Sequence, residues 1–484
     1  MAVAAVSSPS RKTSRSRIEQ LPDDVLLEIF YRLPCRSAVG CNSVSKRWCS
    51  LISHPNFIPH YINHRRQYQH IEPFTLVLQY YDDLVVLPSD NSSSASFEDF
   101  GRSGGYGRVV DFLNFLPYRQ PYNDLRIEAS FNDLLLVSSK VSTNCNYFIC
   151  NPLTEQWLKL PRLPPTMSTW PSSLYTLVGF ICEPFTYSCK VVRIHSPTRE
   201  ANNITLLRVE TFSSETGEWS NSSVLSPRGL NPFSLVSKLH RAIACNGMLH
   251  WVHVDSEDRT MKGVLVFNPQ GGHLRYIRLP VSPQGYVISF GVFQGRLRLF
   301  QRSPNLRLPD RELGYRYFSC CASDACNFSV WELEDYADAG TWSSKHKVYF
   351  KDMFSECSTV IKIVGHREPV EFIAFHPNDG DIVFLNFGDD ILSCNLRTRV
   401  CTLVRGIVSS MHKSSVFVLG QPSWPTPVHP LPLKFESPPP PAFPKECQDI
   451  QPRSWLDSLD DGTTVVGINT VFDIEKTHLK TNAF

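Results

Sequence analysis

The chain has 484 residues, 42% of them apolar, and 48 Lys plus Arg against 46 Asp plus Glu; it can bury a large core, and its charge gives no basis for nucleic acid as the main partner. Fifteen cysteines, several inside apolar runs (Cys150, Cys182, Cys245, Cys394) and none in a Cys-x-x-Cys pair, exclude a zinc ribbon and are expected as reduced, buried thiols in the cytosol or nucleus. No apolar run approaches the length of a membrane helix, and the start of the chain lacks a signal-peptide core.

Residues 1–17 are rich in Ser and Arg without an acidic side chain; they read as a disordered basic tail, with a transit or nuclear signal as the alternative. Helical periodicity then follows. Leu21-Pro22-Asp23-Asp24 marks a helix start, because Pro lacks the N–H that would be unpaired there and the carboxylates meet the positive end of the dipole. Val25, Leu26, Ile29, Phe30 and Leu33 continue at helical spacing until Pro34 stops the ladder. A short second helix is expected over 36–41. A third places Val44, Trp48, Leu51 and Ile52 on one side and stops at His54-Pro55-Asn56. Three helices this short cannot bury their apolar faces on one another, so something else must cover them.

From about residue 73 the pattern changes to short β runs bounded by Gly, Asn, Asp and Pro. Two kinds of hairpin alternate. One carries a tight turn, at Asn132-Asp133, within 180–194, at Asn246-Gly247, at Gln294-Gly295 and at Asn378-Asp379-Gly380. The other ends in an aromatic or Leu-Pro strand, over 148–161, 209–225, 264–280, 328–348 and 391–404. Two hairpins make one four-stranded sheet, and five such repeats imply a radial propeller. A sixth blade would join strands at 74–87 and 109–116 to 415–419 from the far end. Segments 89–108 (a flexible loop), 302–318 (a basic insertion) and 421–452 (Pro-rich, extended or disordered) interrupt the order.

Leu21-Pro22, Leu33-Pro34, Val44-Ser45-Lys46-Arg47-Trp48 and Leu51-Ile52-x-x-Pro55-x-Phe57 resemble the F-box family, with Ser45 where many members have Cys. Asn151-Pro152-x-Thr154, Asn246-Gly247-x-Leu249-x-Trp251 and Phe267-Asn268-Pro269 resemble the F-box-associated, kelch-like β-propellers of plant proteins. The fold expected is thus α+β and multidomain: a tail at 1–17, a three-helix F-box at 18–62, an all-β propeller of six blades at 73–420, and a Pro-rich, largely disordered tail at 421–484.

The resemblance implies a substrate-recognition subunit of an SCF-type cullin–RING ubiquitin ligase, cytoplasmic or nuclear, without catalysis, metal or cofactor. Its partners would be a Skp-type adaptor, through it a cullin and a RING subunit, and an unidentified protein target. By position, Leu21, Pro22, Leu26, Ile29, Leu33, Pro34, Val44 and Trp48 would contact the adaptor, some of them also packing inside the module. The alternatives are a regulator that binds the adaptor without promoting degradation, a glycan-binding or glycan-processing propeller with paired carboxylates, and a helical cap sealed on the chain's own blades.

Among candidate contact residues for the target, Arg307, Arg311, Tyr315 and Arg316 of the basic insertion stand out, since Arg and Tyr favour binding hot spots. His250 and His253 lie three apart in a strand, point to opposite faces and are expected in the blade packing. His60 and His64 have helical i, i+4 spacing without further ligands and read as a solvated helix end. Trp157, Trp219, Trp331 and Trp342 recur at similar repeat positions, which favours packing over ligand stacking.

Overall fold

The computed structural model describes residues 17–432 apart from 90–105, 118–124, 164–175, 200–204, 226–240, 255–260, 303–326, 354–369, 407–414 and some shorter connections. The basic insertion with Arg307, Arg311, Tyr315 and Arg316 therefore lies outside the described residues, as do 1–16 and 433–484.

After a 3-10 turn at Arg17–Gln20 come α1 (Asp23–Arg32), α2 (Cys35–Gly40), α3 (Lys46–Ile52) and α4 (Phe57–Tyr68), a full helix where the sequence suggested only a helix end at His60 and His64. His54-Pro55-Asn56 does stop α3, but the chain turns and re-enters helix; Pro59 is tolerated because it falls in the first turn. Thus four helices, not three, form the cluster, and α4 packs against α1 and α3. His60 and His64, expected at a helix end, flank the Tyr31 ring at 6.3 and 6.2 Å from within α4.

The strands form six blades. Blade 6 takes β1 (Phe74–Tyr80), β2 (Asp83–Pro88) and β3 (Tyr106–Arg108) from the start of the domain. The next segment is a correction: Val109–Phe112 is helical (α5), not a strand. Val109, Phe112, Leu113 and Leu116 recur at i, i+3, i+4 and i+7 and are all buried in one cluster. Blade 1 is β4 (Leu125–Phe131), β5 (Leu134–Val141), β6 (Asn144–Asn151) and β7 (Gln156–Lys159). Blade 2 is β8 (Thr176–Cys182), β9 (Cys189–His195), β11 (Thr205–Ser213) and β12 (Glu218–Leu225), with the short β10 (Thr198–Arg199) beside β11.

Blade 3 holds β13 (Ile243–Cys245), β14 (Met248–Val254), β15 (Met261–Asn268) and β16 (His273–Arg278). Blade 4 holds β17 (Tyr286–Phe293), β18 (Arg296–Arg302), β19 (Asn327–Asp335) and β20 (Thr341–Tyr349). Blade 5 holds β21 (Val370–Phe375), β22 (Ile382–Phe387), β23 (Asp390–Asn395) and β24 (Val400–Gly406). Finally β25 (Ser415–Gly420) returns to pair with β1 and becomes the innermost strand of blade 6. The innermost strands touch in the closed order β4, β8, β13, β17, β21, β25 and back to β4, so both ends of the domain lock one blade.

Each blade is antiparallel and apolar on both faces, and each neighbouring pair shares one buried cluster. Two turns follow the sequence directly: Asn246-Gly247 (φ 51° and 72°) and Gln294-Gly295 (φ 47° and 73°) hold the left-handed angles a two-residue hairpin requires. The turn expected at Asn378-Asp379-Gly380 differs. It is a longer loop in which the backbone N–H groups of Asn378 and Asp379 donate to the His376 ring. Another expectation fails at Cys182, which forms a disulfide with Cys189 across the β8–β9 hairpin, whereas Cys150, Cys245 and Cys394 are buried thiols. The two are cross-strand partners, which brings their side chains within bonding reach.

The Pro-rich segment, expected to be extended or disordered, is described over 424–432. Residues 424–432 are extended, as Pro dictates, but they pack on the molecule: Val428 and Leu431 join the cluster between blades 1 and 2.

Candidate functional site: the outer face of the helical cluster

Helix α1 carries two apolar stripes. Leu26 and Phe30 face inward and meet Ala38, Ile52, Phe57 and Tyr61 in a small core, with the Trp48 ring edge-on to Phe30 at 5.0 Å. Val25 and Ile29 form the second stripe, about 100° around the helix, 43% and 36% exposed. Burying one stripe of a short helix is ordinary packing; a second, exposed stripe is not needed for it and makes this face the candidate site. Val44, ahead of α3, extends that surface and is 60% exposed. Pro22 and Pro34 are exposed beside it, while Leu21, Leu33 and Trp48 are half-buried.

The structure divides the eight residues named from sequence. Pro22, Ile29, Pro34 and Val44 offer free apolar surface, and Leu21, Leu33 and Trp48 share theirs between core and surface. Leu26 is fully buried and packs in the core of the cluster. Its spacing to Phe30 is the same i, i+4 as Val25 to Ile29, so periodicity could not rank the two stripes. Val25, Ile18 and Ile58 are exposed residues that the sequence reading left out of the site.

Local chemistry holds the surface in shape. The Ser45 hydroxyl accepts from the Trp48 N–H at 3.2 Å and caps α3. The Arg47 guanidinium donates to Asp23 through Nε at 2.8 Å and to the Leu21 carbonyl through Nη2 at 2.6 Å, pinning the start of α3 to the start of α1. On the inner side the Tyr61 hydroxyl donates to the Leu33 carbonyl at 2.8 Å, and burial pushes its phenol up to about 12. Burial likewise lifts the Cys35 thiol to about 12, so it stays protonated. These groups stabilise; none is poised to react.

The second side of the cluster is closed by the chain itself. Trp424 presents its ring edge to Phe57 at 5.6 Å and to Tyr61 at 5.2 Å. Among the described residues, the chain thus covers the α4 side and leaves the α1–α3 side open.

The propeller offers no comparable reactive cluster among its described residues. No group of three or more His, Cys, Asp or Glu could hold a metal there. His250 and His253 are buried, one bonded to the Ile243 carbonyl and the other to the Tyr276 hydroxyl, while Trp251 between them donates to the Val178 carbonyl of blade 2. Trp219 and Trp342 occupy equivalent outer strands, and each indole donates to the blade before it, at Pro161 and Arg278. Trp331 donates to Gln301 within blade 4, and Trp157 is 41% exposed.

The buried carboxylates sit apart. Asp133 is in blade 1, Glu210 in blade 2 with Arg193 and His195 at 2.6 and 3.0 Å, and Glu332 in blade 4 with Arg298 at 2.6 Å. Burial pushes Glu210 and Glu332 up, yet their basic neighbours outweigh it and hold both below the usual carboxylate range. Across the axis, Arg241, just before β13, stacks its guanidinium 3.9 Å from the Phe417 ring in β25, tying blade 3 to blade 6 opposite it.

Comparison with known proteins matches the same two parts. The family model described as F-box domain covers residues 18–60, and the one described as F-box protein At3g26010-like, beta-propeller covers residues 108–421. The chain is similar to the F-box protein At3g26010 of Arabidopsis thaliana, 26% identical over 80% of this chain and 79% of that one. It is also similar to the F-box protein At5g49610 of Arabidopsis thaliana, 30% identical over 48% of this chain and 58% of that one. Among solved structures, TolB from Acinetobacter baumannii aligns with a TM-score of 0.33 and 8% identity over 78% of this chain and 73% of that one, a likeness too slight to carry an argument.

Proposed function

Because the chain belongs to the F-box protein family with an At3g26010-like β-propeller, we propose that it is a non-catalytic substrate receptor of an SCF-type ubiquitin ligase, whose helical cluster docks on a Skp-type adaptor and whose propeller holds a protein target. The observation that carries this reading is the one-sided closure of the cluster. Its α4 side is occupied by Trp424, while Val25, Ile29 and Val44 remain in water on the other. A cap serving only the propeller would need no second apolar stripe.

The receptor would act by proximity. A target held on the propeller, with the adaptor leading to a cullin and its RING subunit, meets charged ubiquitin carrier at high effective concentration. Rigid blades suit that task, because they present their loops on a fixed frame. The buried carboxylates, each held by its own neighbours, argue for binding rather than hydrolysis.

Reconstitution tests the reading. Full-length chain mixed with a plant Skp-type adaptor, cullin and RING subunit is expected to elute as one stoichiometric complex. Elution of the chain apart from an otherwise intact adaptor–cullin–RING complex would overturn it.

A further inference from the structure

One hairpin turn of blade 1 pins both roots of a loop that ends in the helical cluster. The backbone N–H of Gly420, the last residue of β25, donates to the Asn132 carbonyl at 2.9 Å. Six residues later, the N–H of Thr426 donates to the Asp133 carboxylate at 2.7 Å, and the Thr426 carbonyl accepts from the Asn151 side chain at 2.8 Å. Asn151 also donates to Asp133 at 2.8 Å, so the carboxylate, itself 1% exposed, accepts from both sides. Between these roots stands Trp424, packed on Phe57 and Tyr61 of α4. Beyond them the chain stays bound: the Val428 N–H donates to Gln156 at 3.3 Å, His429 lies 6.1 Å from the Tyr187 ring, and Pro432 lies against Gly217 of blade 2.

The chain itself joins cluster to propeller at residues 69–72, between α4 and β1. Trp424 makes a second attachment, packed against Phe57 and Tyr61, that opposes rotation of the cluster on the propeller.

We propose that residues 424–432 form a brace that fixes the angle between the F-box and the propeller, with Trp424 as its positioning residue. Its use in ubiquitin transfer rests on the receptor reading above; the brace itself does not. A fixed angle sets where a bound target stands relative to the adaptor, and so which of its lysines the carrier can reach.

The test uses the full-length chain, free and with a Skp-type adaptor, carrying nitroxide labels introduced through unnatural amino acids at the exposed positions Asn63 and Lys159. Pulsed electron paramagnetic resonance is expected to give one narrow distance for the wild type and for Trp424→Phe, which keeps an aromatic wedge. Trp424→Ala is expected to broaden it. So is Thr426→Pro, which deletes the N–H given to Asp133 and leaves the indole in place. Adaptor affinity is expected to stay within about two-fold in every variant, since the brace lies on the closed side. An unchanged narrow distance in both Trp424→Ala and Thr426→Pro would overturn the brace. Failure of the wild type to bind adaptor would count against the receptor reading alone, since the distance is read without it.

Discussion

The propeller and the helical cluster treat their apolar side chains in opposite ways. Every blade shares its two faces with neighbours, and the ring closes on itself through β25, leaving each inter-blade cluster sealed. The cluster has too few residues to do this. It buries six apolar side chains, borrows Trp424 from the far end of the domain, and still leaves Val25, Ile29 and Val44 exposed. Sealed surface reports how a chain folds; apolar surface left open among the described residues is the candidate for what it binds.

The sharpest break between the regions comes from the propeller core. Trp251 fills the contact between blades 2 and 3 and is fully buried. Trp251→Ala is expected to cost about 3–5 kcal/mol, measured by urea unfolding. Gly179 opposite it admits no side chain, because an added Cβ would stand 2.7 Å from the indole; Gly179→Val is expected to unfold the same contact.

Next in size is a pH effect confined to the blades. Burial drives His250 down to about 4 from 6.5, so between those values the unfolded chain holds the proton and the folded one does not. Stability therefore falls as pH drops through that window, by up to about 3 kcal/mol from this residue. His250→Gln should flatten that part of the stability–pH curve; an equal slope in both proteins would show that the ring titrates normally.

Trp424→Ala removes a half-buried aromatic from the cluster and is expected to cost about 2 kcal/mol. Calorimetry should place the loss in the helical region and leave the propeller transition in place. Smallest of all, Ile29→Ser with Val44→Ser should shift stability by no more than about 0.5 kcal/mol, because neither side chain packs in the core. A loss near that of Trp251→Ala would erase the contrast between the two regions.

Much of this was legible in the chain. Asn246-Gly247 announced its hairpin because few residue pairs take two positive φ angles, and Leu21-Pro22-Asp23-Asp24 announced α1 through dipole and N–H chemistry. The failures share one cause: local composition outvoted periodicity or tertiary contact. Val109-Val110 looked like a strand, although Val109, Phe112, Leu113 and Leu116 keep helical spacing. The stop signal His54-Pro55-Asn56 hid α4, which begins at the next residue, Phe57. The Pro-rich run around Trp424 read as a tail, and the lone indole within it was the signal of a buried contact. Which of Leu26 and Ile29 would face inward depended on α4, and no local pattern carried that information.

The central proposal is that the α1–α3 face, exposed among the described residues, docks a Skp-type adaptor. It is tested most directly by titrating a Skp-type adaptor into the full-length protein and into its Ile29→Asp, Val44→Asp variant, with melting curves of both recorded beside the titration. The account predicts matching melting curves and binding lost in the variant; a variant that melts like the wild type and still binds the adaptor with equal affinity would contradict it.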